Sequence, residues 1–465
     1  MPTLTVVSPH TEKPIAEVPA ANPAQVEDAV AAARAAGDRW SARPPTERIA
    51  AMRQLAEVYG HNRNRMAELI CAEIGAPISF AHRAQVGLPA AMMTAFCDLA
   101  EQYPWQETRA GFFGPPLHIR KEPVGVVAAI VPWNMPQFLI VTKLVPALLA
   151  GCAVLLKPAP ESPLDALLLA ELLAEIDLPP GVVTVLPGDA AVGAQLAGHP
   201  GVDKVSFTGS TAAGRAVAAA CAPNLTKVSL ELGGKSAAVV LDDADPATVA
   251  AAVRSASLSN SGQICNALTR ILVPASREDA FVDALAAELT SLVVGDPADP
   301  ATQLGPLVSR RQQHRVRDYI RDGQAAGARL VVGGAEPPDG VDTGWYVRPT
   351  LFCGVDNATR IAREEIFGPV LSVIGYRDED DAVAIANDSD YGLAGSVFTA
   401  DTERGLAVAT RIRTGTFGVN QGYPMDPFAP FGGVKASGYG RELGREGLES
   451  YLEPKSIAVA TSPRP

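Results

Sequence analysis

VGVVAAIVPWNMPQFLIVTKLVPALLAGCAVLLKPAP, residues 124–160, holds two short apolar runs separated by the helix that follows PWN. The runs end on polar residues beside prolines: Asn134 after AAIVPW and Lys157 after AVLL. Near-continuous apolar strands joined by helices indicate a parallel sheet covered on both faces. The pattern continues with VVTVLPG, DKVSFTGS, KVSLELGG and SAAVVLDDAD as strand candidates, and with ESPLDALLLAELLAEI and TAAGRAVAAACA as helices between them. Upstream, residues 23–102 are Ala-rich with helical spacing. Downstream of Cys265 a second βα series reads RILVP, a helix over 277–292, RLVVGG, VLSVIGY, a helix over 378–387, and GTFGVN. The fold class is α/β. No internal repeat or low-complexity linker is present, so the boundary between the two series rests on Gly233 and Gly234.

Composition narrows the function. A chain of 465 residues is long enough for two or three domains. Its net charge of −12, with no run of five like charges, argues against a nucleic-acid partner. Six cysteines (Cys71, Cys97, Cys152, Cys221, Cys265, Cys353) form no CxxC pair, and six histidines form neither HxH nor HExxH. No disulfide framework and no metal site is expected. The longest apolar stretch, LVPALLAGCAVLL (144–156), is too short for a membrane span and contains Pro and Gly. The N-terminal MPTLTVVSPHTEKP lacks a signal-peptide core. The expectation is a cytoplasmic protein with no membrane partner.

Ligands of open parallel sheets bind outside the carboxyl ends of the strands. Four such ends here carry Asn134, Lys157, Ser210 and Glu231. Each alone is open to a plain reading. Lys157 either donates to a ribose or phosphate or snorkels to solvent. Ser210 in FTGSTAAG either caps a helix or opens an anion site at its N-terminus, where Gly209 lets a ligand approach. Glu231 in VSLELGGK is either a general base of raised pKa or a carboxylate satisfied by nearby amides. The four together point to one convergent site.

Cys265 sits in SLSNSGQICNALTR among small polar residues, whereas most free cysteines are buried hydrophobes. A helix beginning near Cys265 would stabilise a thiolate and later an oxyanion, with Asn134 as a side-chain donor. In EEIFGPV, Glu364 and Glu365 beside Phe367 are either a ribose contact or a solvated acidic turn.

Taken in order, PWNMP (132–136), KPAP (157–160), FTGSTAAG (207–214), LELGGK (230–235), GQIC (262–265), EEIFGPV (364–370) and PFGGVKASGYGRELG (430–444) resemble the NAD(P)-dependent, hydrolytic members of the aldehyde dehydrogenase superfamily. Glu231 and Cys265 stand 34 residues apart, as that pattern expects. The resemblance covers nearly the whole chain. It implies that Cys265 attacks the aldehyde to give a thiohemiacetal and then a thioester, with Asn134 and the Cys265 N–H holding the oxyanion. It implies that Glu231 activates the hydrolytic water and that Glu442 serves a proton relay. It implies dinucleotide contacts at Pro132, Trp133, Lys157 (adenosine ribose), Gly209, Ser210 (pyrophosphate), Gly214, Leu232, Gly233, and Glu365 with Phe367 (nicotinamide ribose). A substrate pocket is expected from Gln137, Phe138, Thr142, Ile264, Asn266 and Phe431.

The implied architecture has three parts. An atypical Rossmann cofactor domain spans 1–104 and 124–233, with 436–450 packing back on it. An α/β catalytic domain spans 234–435, and a small β oligomerisation element of a homodimer or homotetramer spans 105–123 and 451–465.

Two departures from the pattern bear on specificity. Many NAD-preferring relatives place a ribose-binding Glu where this chain has Pro160, with Glu161 following, which leaves NAD or NADP open. Thr142 stands where a bulky aromatic is frequent, implying a wider substrate tunnel. Two other functions are weighed. A CoA-acylating dehydrogenase tends to lack the glutamate matched by Glu231, and a catalytically silent protein of this fold would lack Cys265 or Glu231. Both residues are present.

Overall fold

The computed structural model describes residues 3–459. An antiparallel hairpin of β1 (Thr3–Val7) and β2 (Pro14–Pro19) leads into the helices Pro23–Ser41, Pro45–His61, Arg63–Ile74 and Leu88–Gln102. β3 (Gln106–Arg109) and β4 (Leu117–Pro123) follow as a second hairpin.

Five strands then build the first sheet: β5 (Val126–Ile130), β6 (Ala153–Lys157), β7 (Val183–Val185), β8 (Lys204–Thr208) and β9 (Lys227–Glu231). They pair in parallel, β6 and β7 on one side of β5, β8 and β9 on the other. The order therefore reverses at β5, and a crevice opens outside the carboxyl ends of β5 and β8. Asn134, Lys157, Ser210 and Glu231 all lie at this edge. The helix Pro136–Ala150 that fills the β5–β6 crossover is buried at every position, from Pro136 at its start to left-handed Gly151 (φ 99°) at its end.

The second sheet contains β10 (Ser236–Val240), β11 (Leu268–Pro274), β12 (Arg329–Val332), β13 (Thr350–Cys353), β14 (Val370–Tyr376), β15 (Gly395–Phe398) and β16 (Gly418–Val419). Its order is β12-β13-β14-β11-β10-β15-β16, parallel except for β12, which runs antiparallel at the edge. SAAVVLDDAD, which follows the Gly233–Gly234 boundary, forms β10 at the centre of the second sheet, between β11 and β15. The chain leaves the first sheet at Glu231, crosses Gly233–Gly234 and starts the second at Ser236. The carboxyl edge of the first sheet therefore faces the amino edge of the second. Helices at Glu278–Thr290 and Glu379–Asn387 match the sequence reading to within two residues. GTFGVN yields only two strand residues, because Asn420 turns to positive φ (58°).

β17 (Gly438–Tyr439) returns antiparallel to β9. β18 (Leu452–Ala458) pairs with β4 along its length, so segments 105–123 and 451–459 meet in one three-stranded sheet, β18-β4-β3. The remainder of the expected oligomerisation segment, residues 460–465, lies outside the described residues. Among the described residues, no helix is long and apolar enough to cross a membrane.

Candidate active site

Glu231 closes β9 with its side chain buried, and neither carboxylate oxygen has a hydrogen-bond partner. Gly432 (φ 152°) permits this placement, since a Cβ there would stand 2.6 Å from Glu231 Oε1. Burial, and then the nearby Glu442 carboxylate, push Glu231 well above the usual carboxylate range, against the pull of Lys143 and Arg441. Glu442 accepts from Thr142 Oγ1 at 3.0 Å and pairs with Lys143, whose ammonium also donates to Thr208 Oγ1 at 2.6 Å. Lys143 is fully buried, so the pair belongs to the class whose breakage leaves an uncompensated charge in the core. Lys143→Met is expected to destabilise the protein by about 3 kcal/mol, measured by denaturant unfolding.

Cys265 approaches from the second sheet. The helix Pro246–Leu258 ends, three consecutive left-handed residues follow (Asn260, Ser261, Gly262; φ 51°, 57°, 73°), and the chain turns at Cys265 before entering β11. No helix begins at Cys265, so the condition for helix-end stabilisation of a thiolate is not met: Leu268 onward is recruited by parallel pairing with β10. The backbone amides of Cys265 and Asn266 still interact with the sulfur. Burial, followed by the Glu365 and Glu231 carboxylates, outweighs them and pushes the thiol up to about 12. The other five cysteines are buried, whereas Cys265 is partly exposed.

The turn is tied to Asn134. Its side-chain nitrogen donates to Gln263 O at 2.9 Å, while its carbonyl accepts from Gln85 at 2.9 Å and Asn260 at 2.8 Å. An amide carries two N–H donors, so one remains for a ligand.

These groups share a cavity of about 490 Å³. Asn134, Glu231, Cys265 and Glu442 line its interior, together with Leu88, Met135, Phe138, Leu139, Ile264, Met425, Phe431 and Leu443. The lining also includes Pro132, Trp133, Gly209, Ser210, Leu232, Gly233, Glu365 and Phe367, with Asn266, Arg311, Gln312 and Arg315. Two expected substrate contacts are absent from the lining. Gln137 turns away to donate to Asp165 Oδ2 at 2.6 Å, and the Thr142 hydroxyl is committed to Glu442. Gly214 and Lys157 also stand outside it: Gly214 makes room for Leu232, whose Cδ2 would meet a Cβ at 2.6 Å, and Lys157 faces Glu161 and Asp189.

This second group of lining residues suits a dinucleotide. Ser210 caps the helix Thr211–Cys221 through Ala213 N, leaving other first-turn amides for an anion. Glu365 accepts from Gly234 N at 3.1 Å, and a Cβ on Gly233 would lie 2.2 Å from its Oε2, so only glycine admits it. Burial raises Glu365 to about 7. Phe367, at φ 63°, stands edge-to-face with Trp133, centroids 5.5 Å apart. Sequence reasoning missed Lys143, Arg311, Gln312 and Arg315. Lys143 carried a signal, a lone charge in an otherwise apolar helix, whereas RRQQHR (310–315) looks like any solvated helix face.

The model of the aldehyde dehydrogenase family matches residues 2–457. The chain belongs to the aldehyde dehydrogenase family. It is 46% identical to geranial dehydrogenase of Castellaniella defragrans, over 97% of this chain and 94% of that one. Two crystal structures share its fold. Aldehyde dehydrogenase C from Pseudomonas syringae, a mutant complexed with NAD+ and octanal, superposes with a TM-score of 0.95 at 44% identity, covering 98% of this chain and 93% of that one. An aldehyde dehydrogenase of Mycobacterium tuberculosis, complexed with NAD+, gives 0.96 at 46%, covering 98% and 95%. As an aldehyde dehydrogenase, the protein is an oxidoreductase that oxidises an aldehyde to the carboxylic acid with NAD(P). In this aldehyde dehydrogenase Glu442 lines the cavity and is held there by its pair with Lys143.

Proposed function

We propose that Cys265 is the nucleophile, Asn134 the oxyanion donor and Glu231 the base of aldehyde oxidation. The observation that carries this reading is the convergence of one partly exposed cysteine and one buried, unpartnered carboxylate on a single cavity. The thiol releases its proton to solvent as its sulfur bonds to the aldehyde carbon, and charge collects on the carbonyl oxygen. The free N–H of Asn134 and the Cys265 amide stabilise that charge. When bound, the dinucleotide supplies a hydride acceptor and, in its oxidised form, a positive charge beside the thiol. The resulting Cys265 thioester is opened by water, whose proton Glu231 accepts; the C–S bond breaks and the thiol is restored. Glu442 and Lys143 stand behind Glu231 as the route for that proton.

The same reading places the adenosine ribose at Lys157, the pyrophosphate at Ser210 and the nicotinamide ribose at Glu365, with β5–β9 forming the cofactor domain and β10–β16 the catalytic domain. NAD is favoured, since both structural neighbours hold it. The interior wall is aliphatic and aromatic apart from the reacting groups, which favours an apolar aldehyde. The names of two relatives, one for geranial and one complexed with octanal, support that class. The β18-β4-β3 sheet is assigned to a dimer or tetramer contact, and the locale is cytoplasmic. The test is stopped-flow dinucleotide reduction without CoA, using octanal and succinic semialdehyde. Sustained turnover, faster with octanal, is expected. A single stoichiometric burst that stalls would overturn hydrolysis in favour of transfer to CoA.

A further inference from the structure

One ion pair links the turn after β6 to the helix Arg310–Ala325 and plays no part in the chemistry above. Arg311, in the first turn of the helix Arg310–Ala325, places Nη2 3.4 Å from Glu161 Oε1. The Arg311 side chain is 85% exposed and that of Glu161 23%. Arg311 also lines the catalytic cavity. Glu161 in turn acts on the buried ammonium of Lys157 at the end of β6, as does Asp189. Asp189 is occupied as a helix cap, accepting from Ala191 N at 2.9 Å. Two cations, Arg311 and Lys157, thus share the one carboxylate at this corner that caps no helix, Glu161. Its backbone offers few donors, because Pro158 and Pro160 carry no N–H, so recognition there falls to side chains.

We propose that Arg311 is the specificity-determining residue for a 2′-phosphate on the adenosine ribose, with Glu161 holding its place when that phosphate is absent. The proposal rests on the placement of the adenosine ribose at Lys157. In dinucleotide sites a carboxylate near the ribose suits the free 2′-hydroxyl, and a nearby arginine accommodates the 2′-phosphate. Here both stand at one corner, paired to each other. With NAD the pair stays closed and Glu161 remains beside the ribose. A 2′-phosphate repels Glu161 and takes over its guanidinium, whose planar fork matches phosphate geometry. The long, exposed arm of Arg311 gives it the freedom to exchange partners. The chain therefore accepts both dinucleotides, with selectivity set by the balance between the two side chains.

The test is calorimetric binding of 5′-AMP and 2′,5′-ADP, which carry the ribose corner without the nicotinamide. In Arg311→Gln the affinity for 2′,5′-ADP relative to 5′-AMP is expected to fall about tenfold, the scale of one charge-assisted hydrogen bond. In Glu161→Gln the same ratio is expected to rise several-fold. An unchanged ratio in Arg311→Gln, or a shift in the same direction in both variants, would overturn the assignment. Lys157→Met examines the underlying placement separately, and wild-type binding of both nucleotides in that variant would overturn the ribose position itself.

Discussion

Cys265→Ala is expected to bind dinucleotide and to oxidise no aldehyde, with turnover lower by roughly 10⁴-fold or more, the scale on which loss of a covalent nucleophile is felt. The size of the effect follows from the lack of a substitute. The five other cysteines are buried in the packing. Ser210 lies on the cavity wall, but its oxygen accepts from Ala213 N as a helix cap. Alanine removes a thiol whose ionisation is disfavoured by burial and then by Glu365 and Glu231, and it keeps the Cβ at the turn. Dinucleotide binding by fluorescence and steady-state reduction of NAD measure the two properties separately. Turnover close to wild type would remove Cys265 from the mechanism.

Glu231→Gln is expected to separate the two halves of the reaction. The amide is isosteric and replaces a buried carboxylate that has no hydrogen-bond partner, so the site keeps its shape. Acylation and the first reduction should survive, giving a burst of one reduced dinucleotide per active site. The following steady state should be slower by about 10²–10³-fold, the usual contribution of a general base. The sign of the pH dependence follows from the raised pKa: Glu231 is protonated below it and cannot accept a proton from water. Wild-type steady-state rate is therefore expected to climb as pH rises past the ordinary carboxylate range, and the variant to lose that limb. Equal losses in burst and steady state would assign Glu231 to acylation instead.

The parallel-sheet pattern was legible because β5, β6 and β8 are buried throughout, which forces near-continuous apolar runs bounded by polar ends. The convergence of Asn134, Ser210 and Glu231 was legible for the same reason, since strand ends are where such runs stop. Strand order within the second sheet was not: nothing within SAAVV shows that it lies between β11 and β15, because both pairing partners lie beyond Cys265. Whether a helix starts at Cys265 was open for a similar reason, because GQICNALTR has no local feature outweighing the pull of β10 on Leu268. Gln137 and Thr142 were misplaced because every face of the helix Pro136–Ala150 is buried, so burial does not tell which face meets the cavity. Lys143 escaped notice because its partner, Glu442, is 299 residues away.

The glycine contacts around Cys265 divide the cavity wall into two kinds of ground for change. Gly262 lies against Gly368, where a Cβ would come 2.3 Å from the carbonyl oxygen, and Gly234 lies against Cys265, where a Cβ would come 2.7 Å from its oxygen. There main chain rests on main chain, and no side-chain repacking can absorb an added methyl group. Leu88, Met135, Met425 and Phe431 instead line the wall with apolar side chains, and none of them is a glycine wedged against main chain. A lineage of such enzymes can therefore trade one aldehyde for another by drifting at those four positions while the reacting centre stays frozen. Substrate range and chemistry are separately heritable in this molecule.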